Sequence, residues 1–168
     1  MPILETRNLS KHFGGLIAVN QVSYTVEAGE LRSIIGPNGA GKTTFFNMIA
    51  GDLDATEGNV FFKGEDVTAL STFERSHKGI GRTYQITNIF PKLSVLENVR
   101  IAAQSRKTTF NLWSGVNDHK ELIEKADHII ERVNLADKRQ DLGGTLAHGE
   151  QRYLEIGIAL ATDPDMLL

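Results

Sequence analysis

Alternating apolar and polar residues dominate the early part of the chain, and helical spacing the later part. Residues 3–9 and 22–26 (Val-Ser-Tyr-Thr-Val) have strand character, the second with clean alternation, and Glu27-Ala28-Gly29-Glu30 reads as a turn. Leu31, Ser33 and Ile35 then alternate with Arg32 and Ile34, which predicts a short strand ending at Gly36. Arg32 is out of keeping with a strand buried on both faces, so this one is expected to begin near an edge or a surface. Thr44 to Ala50 is compatible with a helix that stops at Gly51, and Gly58 to Gly64 reads as a short strand bounded by glycines.

From Ser94 onward the period lengthens. Ser94-x-x-Glu97 is a capping box opening a helix through Val95, Leu96, Val99 and Ala102, since the Ser oxygen and the Glu carboxylate can each accept an orphan N–H. Residues 107–119 are polar and turn-rich and hold the only tryptophan, Trp113. Leu122, Ala126, Ile129, Ile130 and Val133 mark one face of a second helix. Glu150 to Ala161 is a third helical stretch, apolar on most sides and therefore expected to be buried. Asp163-Pro164-Asp165 is a turn, and Met166-Leu167-Leu168 opens a buried strand. The chain reads as an α/β protein, β-rich first and helical afterwards.

Composition narrows the classes. A chain of 168 residues suffices for one compact core, with or without a small subdomain, but not for two full-sized domains. The absence of cysteine excludes disulfide frameworks and thiolate metal sites and is compatible with a reducing compartment. The start, Met-Pro-Ile-Leu-Glu-Thr-Arg, lacks the pattern of a secretory leader, and no segment approaches the ~18 apolar residues of a membrane span. The chain by itself is therefore expected to be cytosolic. A net charge of −3 argues against general nucleic-acid binding.

The most informative segment is Gly36-Pro37-Asn38-Gly39-Ala40-Gly41-Lys42-Thr43-Thr44, a complete phosphate-binding loop of the form G-x-x-x-x-G-K-[ST]. Its glycines let successive backbone N–H groups turn inward as an anion cradle. Lys42 is placed to reach the β- and γ-phosphates of a triphosphate, and the Thr43 hydroxyl to ligand Mg²⁺. The helix starting near Gly41 aims the positive end of its dipole at the same charge.

Three further motifs accompany the loop. Their order and spacing make the chain, from about Ile3 to Leu168, resemble the ATP-binding subunit of ABC transporters. Phe13, in Lys-His-Phe-Gly-Gly, stands where that family places an aromatic ring against adenine, and Phe can stack as the more frequent Tyr does. Gln85, in Gly-Arg-Thr-Tyr-Gln, matches the family's Q-loop glutamine, whose amide touches Mg²⁺ or the attacking water and whose loop contacts the membrane partner. Ile89 to Val99 follows it as the phrase that opens the family's helical subdomain. Leu146-Ala147-His148-Gly149-Glu150 aligns with the signature L-S-G-G-Q, directly before a helix; in the family this loop faces the γ-phosphate held by the other subunit of a head-to-tail pair. Ala147 lacks the Ser hydroxyl, His148 replaces the first Gly, and Glu150 replaces the Gln, so that only Gly149 keeps its backbone role. His148 taken alone reads as a surface or packing histidine and is kept as an interface candidate. These variants, with the phrase Phe13 to Asn20 and Leu-Glu-Ile-Gly157, resemble the branch serving branched-chain amino acids and related amides.

The resemblance implies a P-loop NTPase core, a mixed sheet with an antiparallel β part, carrying an inserted α-helical subdomain. Residues 1–88 would be the ATP-binding core, 89–161 the helical region with the signature, and 162–168 the start of the strand that precedes the family's catalytic carboxylates. ATP and Mg²⁺ are the implied ligands, with Lys42 and Gln85 catalytic and Thr43 and Gln85 on the metal. The implied partners are a second ATP-binding subunit and transmembrane permease subunits, on the cytoplasmic face of the membrane. In the family an Asp-Glu pair ends that strand, the Asp anchoring Mg²⁺ through water and the Glu acting on the attacking water. Asp163 and Asp165 lie too early for these roles, so residues 1–168 are expected to be incomplete at the C-terminus, to bind ATP weakly and to hydrolyse it poorly. Two other readings stay open here: a soluble non-transport ABC ATPase, and a non-hydrolytic module that dimerises on ATP. A small GTPase lacks support, since no Asn-Lys-x-Asp run occurs.

Overall fold

The computed structural model describes residues 1–83, 89–105 and 116–168, without the side chains of 116–119. Among these the chain divides into two compact units, Met1–Ile80 with Leu168, and Gly81–Leu167. The first is built on a four-stranded antiparallel sheet in the order β2-β1-β3-β4, comprising β1 (Leu4–Phe13), β2 (Leu16–Val26), β3 (Glu57–Phe62) and β4 (Glu65–Asp66). The first two strands run well beyond the segments that the alternation predicts. Their pairing slips between Thr6 and Leu9 and again between Leu9 and Lys11, with Asn8 at φ 48° and Gln21 at φ 47°. Each bulge resets which face is buried. Leu4 and Thr6 point inward before the first bulge and Leu9 after it, so a strict two-residue period finds only part of the hairpin.

Helix α1 (Lys42–Ala50) lays Phe45, Met48 and Ile49 into the core, with the Phe45 ring edge-on to Tyr24 of β2 at 5.9 Å. Helix α2 (Thr72–Lys78) opens with a complete capping box, Glu74 N–H donating to Ser71 Oγ at 3.3 Å and Ser71 N–H to the Glu74 carboxylate at 2.8 Å. This helix is short and has no apolar period, which is why only its cap could have announced it.

One expectation fails in this unit. Residues 31–36 form no strand, and Leu31 and Ile35 are 95% and 93% exposed. A strand persists through ladder hydrogen bonds to a neighbour, and no described strand pairs with this segment. Alternation cannot replace that partner. Arg32 does lie at the surface, its Nε donating to Glu30 at 2.5 Å.

The second unit packs three helices, α3 (Val95–Gln104), α4 (Val116–Arg132) and α5 (His148–Ala161). Val95, Val99, Ala126, Ile130, Leu135 and Leu154 are among the buried residues of their shared core, and all five residues predicted to line the α4 face are buried there. The Ser94 cap forms on one side as expected, Glu97 N–H donating to Ser94 Oγ at 3.2 Å. The Glu97 carboxylate also accepts from Arg100, at 2.7 Å from Nη2. Residues 116–119, expected in the polar turn-rich stretch, belong to α4, and 107–115 with Trp113 lie outside the described residues. Helix α5 is less buried than its composition indicates, because Tyr153 and Ile156 present their side chains to solvent. Met166–Leu167 forms the short strand β6, paired with β5 (Ile80–Gly81), although Leu167 is 41% exposed instead of buried.

Gly157 sits mid-helix in α5, where a methyl group would meet Val133, Ile129 and Val99 at ordinary contact distances of 3.4–3.7 Å. Gly157→Ala is therefore expected to stabilise the protein by about 0.5–1 kcal/mol, read as a higher urea midpoint at unchanged slope. A destabilisation would show that this helix contact has no room for a methyl.

Candidate functional site

The phosphate loop and α1 form one piece of geometry. Gly41 is the N-terminal cap of α1, at φ 82°, and its Cβ position lies 2.2 Å from the carbonyl oxygen of Ala18 on β2. Only a residue without a side chain lets the loop touch that strand. Because Gly41 has no side chain and the first turn holds no acid, the leading N–H groups of α1 have no capping side chain and no carboxylate beside them. The contrast with the other helices is direct. Helix α2 carries Glu74 in its first turn, α3 carries Glu97, and α5 carries Glu150. Of these four helix starts, α1 alone is left electropositive.

Lys42 adds a full charge at this point. Its Nζ donates to the carbonyl oxygens of Gly36 and Pro37, both at 2.7 Å, and so lies folded against the loop. Thr43, next along, is exposed, and Thr44 is half-buried. Asn38, Gly39 and Ala40 form the exposed crest, closed by the Ala40 N–H to Pro37 carbonyl bond at 3.3 Å. Beside the loop lies a cleft of about 370 Å³, lined by Ala18, Val19 and Tyr24 of β2, by Ser33 to Ile35, and by Gly41 and Lys42. Its size falls at the lower end of small-ligand sites.

Phe13 ends β1 opposite Leu16, and its ring is 47% exposed. It does not line the cleft. Its strand partner Leu16 precedes Ala18, the residue that touches Gly41, by two positions on β2.

The far end of α1 is held by a residue that the sequence did not single out. Arg75 of α2 is 2% exposed, and its guanidinium donates to Met48 O at 2.6 Å, Ile49 O at 2.8 Å, Thr68 O at 2.7 Å and Leu70 O at 3.0 Å. Two of these carbonyls belong to the last turn of α1, where a cation complements the dipole. Burial pulls the Arg75 pKa below its ordinary value, and the nearby Asp54, Asp66 and Asp52 push it back up. A guanidinium stays charged under such pressure. Helix α1 is thus closed by a cation at its C-terminus and left open at its N-terminus.

In the second unit the helix starts earlier than a loop-then-helix reading of the signature predicts, at His148. Leu146 is buried in the core and Ala147 is the cap residue, while His148, Gly149 and Glu150 already form the first turn of α5. Ala147 offers no side-chain oxygen. The Glu150 carboxylate instead accepts from the Ala147 N–H at 2.8 Å, which puts a negative charge of the protein's own at this helix start. His148 and Gly149 are exposed. Gln85 lies outside the described residues. The segment after it is held by Asn98, 1% exposed, whose Oδ1 accepts from Phe90 N–H at 2.7 Å and whose Nδ2 donates to the carbonyls of Phe90 and Ser94 at 3.0 and 2.9 Å. The same turn is backed by the chain leading to the signature, through Gly143 N–H to Leu93 O and Gly144 N–H to Pro91 O, both at 2.9 Å. A buried Asn in a helix gives no sequence signal of this kind, because its partners are backbone atoms.

Among the described residues no group of three or more His, Cys, Asp or Glu could hold a metal ion, and no helix is long and apolar enough to cross a membrane. Comparison with known proteins places these features. A profile of the ABC transporter family matches residues 19–168. The probable branched-chain amino acid transport ATP-binding protein LivG of Archaeoglobus fulgidus is 41% identical over 100% of this chain and 66% of its own length. The lipopolysaccharide export system ATP-binding protein LptB of Haemophilus influenzae is 38% identical over 100% of this chain and 66% of its own. A crystal structure of the ADP conformation of an ATP-binding cassette of an ABC transporter matches with a TM-score of 0.83 at 34% identity, covering 99% of this chain and 68% of that one. The chain spans about two thirds of the length of these relatives. With its phosphate loop seated on an α/β scaffold of the P-loop NTPase kind, the chain belongs to the ABC transporter family.

Proposed function

We infer that this protein is the ATP-binding, energy-coupling subunit of an ABC transporter. In this reading it takes Mg-ATP on residues 36–44, pairs head-to-tail with a second ATP-binding subunit, and passes the energy of ATP hydrolysis to membrane permease subunits. The observation that carries it is the electropositive start of α1: a helix with no acid in its first turn, and with Lys42 Nζ folded over the loop in front of it. Polyphosphate is the ligand that such an arrangement favours.

The roles follow from chemistry. Gly36 to Gly41 wrap the β-phosphate, and Lys42 swings from its two carbonyls to the β- and γ-oxygens. Thr43 supplies one hard oxygen to Mg²⁺, which suits an ion that keeps several waters and takes few protein ligands. Phe13 stacks on adenine, and Gln85 orients the attacking water beside the metal. Residues 146–150 are offered to the nucleotide of the partner subunit, where Glu150 has to release the Ala147 N–H before that helix start can serve an anion. Residues 89–161 act as the helical subdomain facing the permease. The protein then sits peripherally on the cytoplasmic face of the membrane. For the cargo we favour branched-chain amino acids, on the phrase Phe13 to Asn20 and the likeness to LivG; the likeness to LptB makes lipopolysaccharide export the competing branch.

Equilibrium binding of Mg-ATP tests the core of this reading. Lys42→Ala is expected to weaken ATP by more than about tenfold, since two charge-assisted contacts of about 1.5–3 kcal/mol each are removed. ATP affinity indifferent to Lys42 would refute the assignment. The cargo branch is tested by which permease co-purifies with the protein and by ATP-driven uptake of leucine into vesicles carrying that assembly.

A further inference from the structure

The geometry points to Lys11 as a positioning residue for the nucleobase, one that holds the Phe13 ring ready for adenine. This rests on the role proposed above for Phe13. Lys11 precedes Phe13 by two residues on β1, and its Nζ lies 5.3 Å from the centroid of the ring, within the reach of a cation–π contact.

The ammonium also has a backbone anchor. Nζ donates to the carbonyl oxygen of Asp54 at 2.6 Å, across 43 residues of sequence. The same stretch of chain is stitched to β1 by His12 N–H to Thr56 Oγ1 at 3.0 Å and Thr56 N–H to Ser10 O at 2.9 Å. Among the described residues no carboxylate forms an ion pair with Lys11, so its charge is not neutralised there. Lys11 is half-buried, whereas the Phe13 ring is largely open to solvent.

Two consequences follow for a base that stacks on Phe13. An exposed ring without a neighbour samples several rotamers, and a ligand must order it on binding; a cation anchored against the ring does that ordering in advance. The cation also draws π density toward its own side, which lowers the repulsion met by the electron-rich face of adenine on the other. On β2 the strand partner of Phe13, Leu16, precedes Ala18, the residue that touches Gly41, by two residues, a backbone rise of about 7 Å, which is on the scale of the sugar that separates base and phosphates.

The test compares the Kd of Mg-ATP with that of Mg-tripolyphosphate, which meets the cradle but has no base. The proteins are the parent chain, Lys11→Met, Lys11→Arg and Phe13→Leu, each with its thermal midpoint recorded. Lys11→Met is expected to weaken ATP about threefold and leave tripolyphosphate unchanged, with Lys11→Arg close to the parent. Equal weakening of both ligands would make Lys11 a remote charge or a fold support and overturn the inference. So would an ATP affinity untouched by Lys11→Met while Phe13→Leu weakens it. If Phe13→Leu leaves the ratio of the two affinities unchanged, the adenine role of Phe13 falls, and the inference falls with it.

Discussion

Replacing Arg75 by methionine is expected to destabilise the protein by about 3–5 kcal/mol, read from urea unfolding followed by far-ultraviolet circular dichroism. The side chain is 2% exposed and satisfies four backbone carbonyls, two of them at the end of α1. Methionine fills much of the same volume, so the loss is one of donors and charge, with little cavity. Each abandoned carbonyl is left without its donor in a place that water reaches poorly, at a cost of about 1–3 kcal/mol. Burying the guanidinium is itself unfavourable, as its lowered pKa indicates, and this keeps the net effect below the sum of four bonds. Arg75→Lys is expected to recover only part of the loss, since three donors on a compact ammonium cannot span carbonyls arranged around a planar fork. A loss under about 1 kcal/mol for Arg75→Met would mean that water takes over those carbonyls, and that α1 does not depend on this closure.

Gly41→Ala is expected to abolish measurable ATP binding at concentrations that saturate the parent, while Gly39→Ala only weakens it. Both glycines have φ 82°, so in either place alanine meets a conformational cost of about 1–2 kcal/mol. The surroundings separate them. At Gly39 an added methyl meets nothing within 4 Å, whereas at Gly41 it lands 2.2 Å from the Ala18 carbonyl oxygen and 3.3 Å from Val19 Cγ2. Neither the loop nor β2 can keep its place with that overlap, and the cradle and the cleft share this contact. Equilibrium dialysis with ATP on both variants decides the point. Equal effects at the two positions would show that strain alone matters and that the loop's contact with β2 does not.

The loop itself was legible in the sequence, because its chemistry depends on local spacing: glycines at set positions, a lysine, and a hydroxyl one residue on. Helix α4 was legible too, since Leu122, Ala126, Ile129, Ile130 and Val133 repeat at the helical period, and all of them are buried. The Ser71-x-x-Glu74 cap of α2 is equally local, but a cap without an apolar period beside it does not by itself mark a helix. What the period misread were places where a neighbour decides the outcome. Residues 31–36 alternate as a strand does and have no ladder partner among the described strands. Helix α5 is apolar in composition, yet only one side of it has α3 and α4 to bury against.

By itself the sequence determined the chemistry of the phosphate loop, the α/β order of elements and the family, because each rests on residue types at fixed short separations. Only the tertiary structure decided that α1 is clamped at its end by Arg75 and that Lys11 is tethered beside Phe13. The physical reason is common to both. Whether a helix end is closed, or a ring is held, depends on which atoms stand within a few ångströms. In the clamp on α1 those atoms are carbonyl oxygens, which every residue carries alike and no sequence pattern marks. In the tether on Lys11 the partner lies 43 residues away.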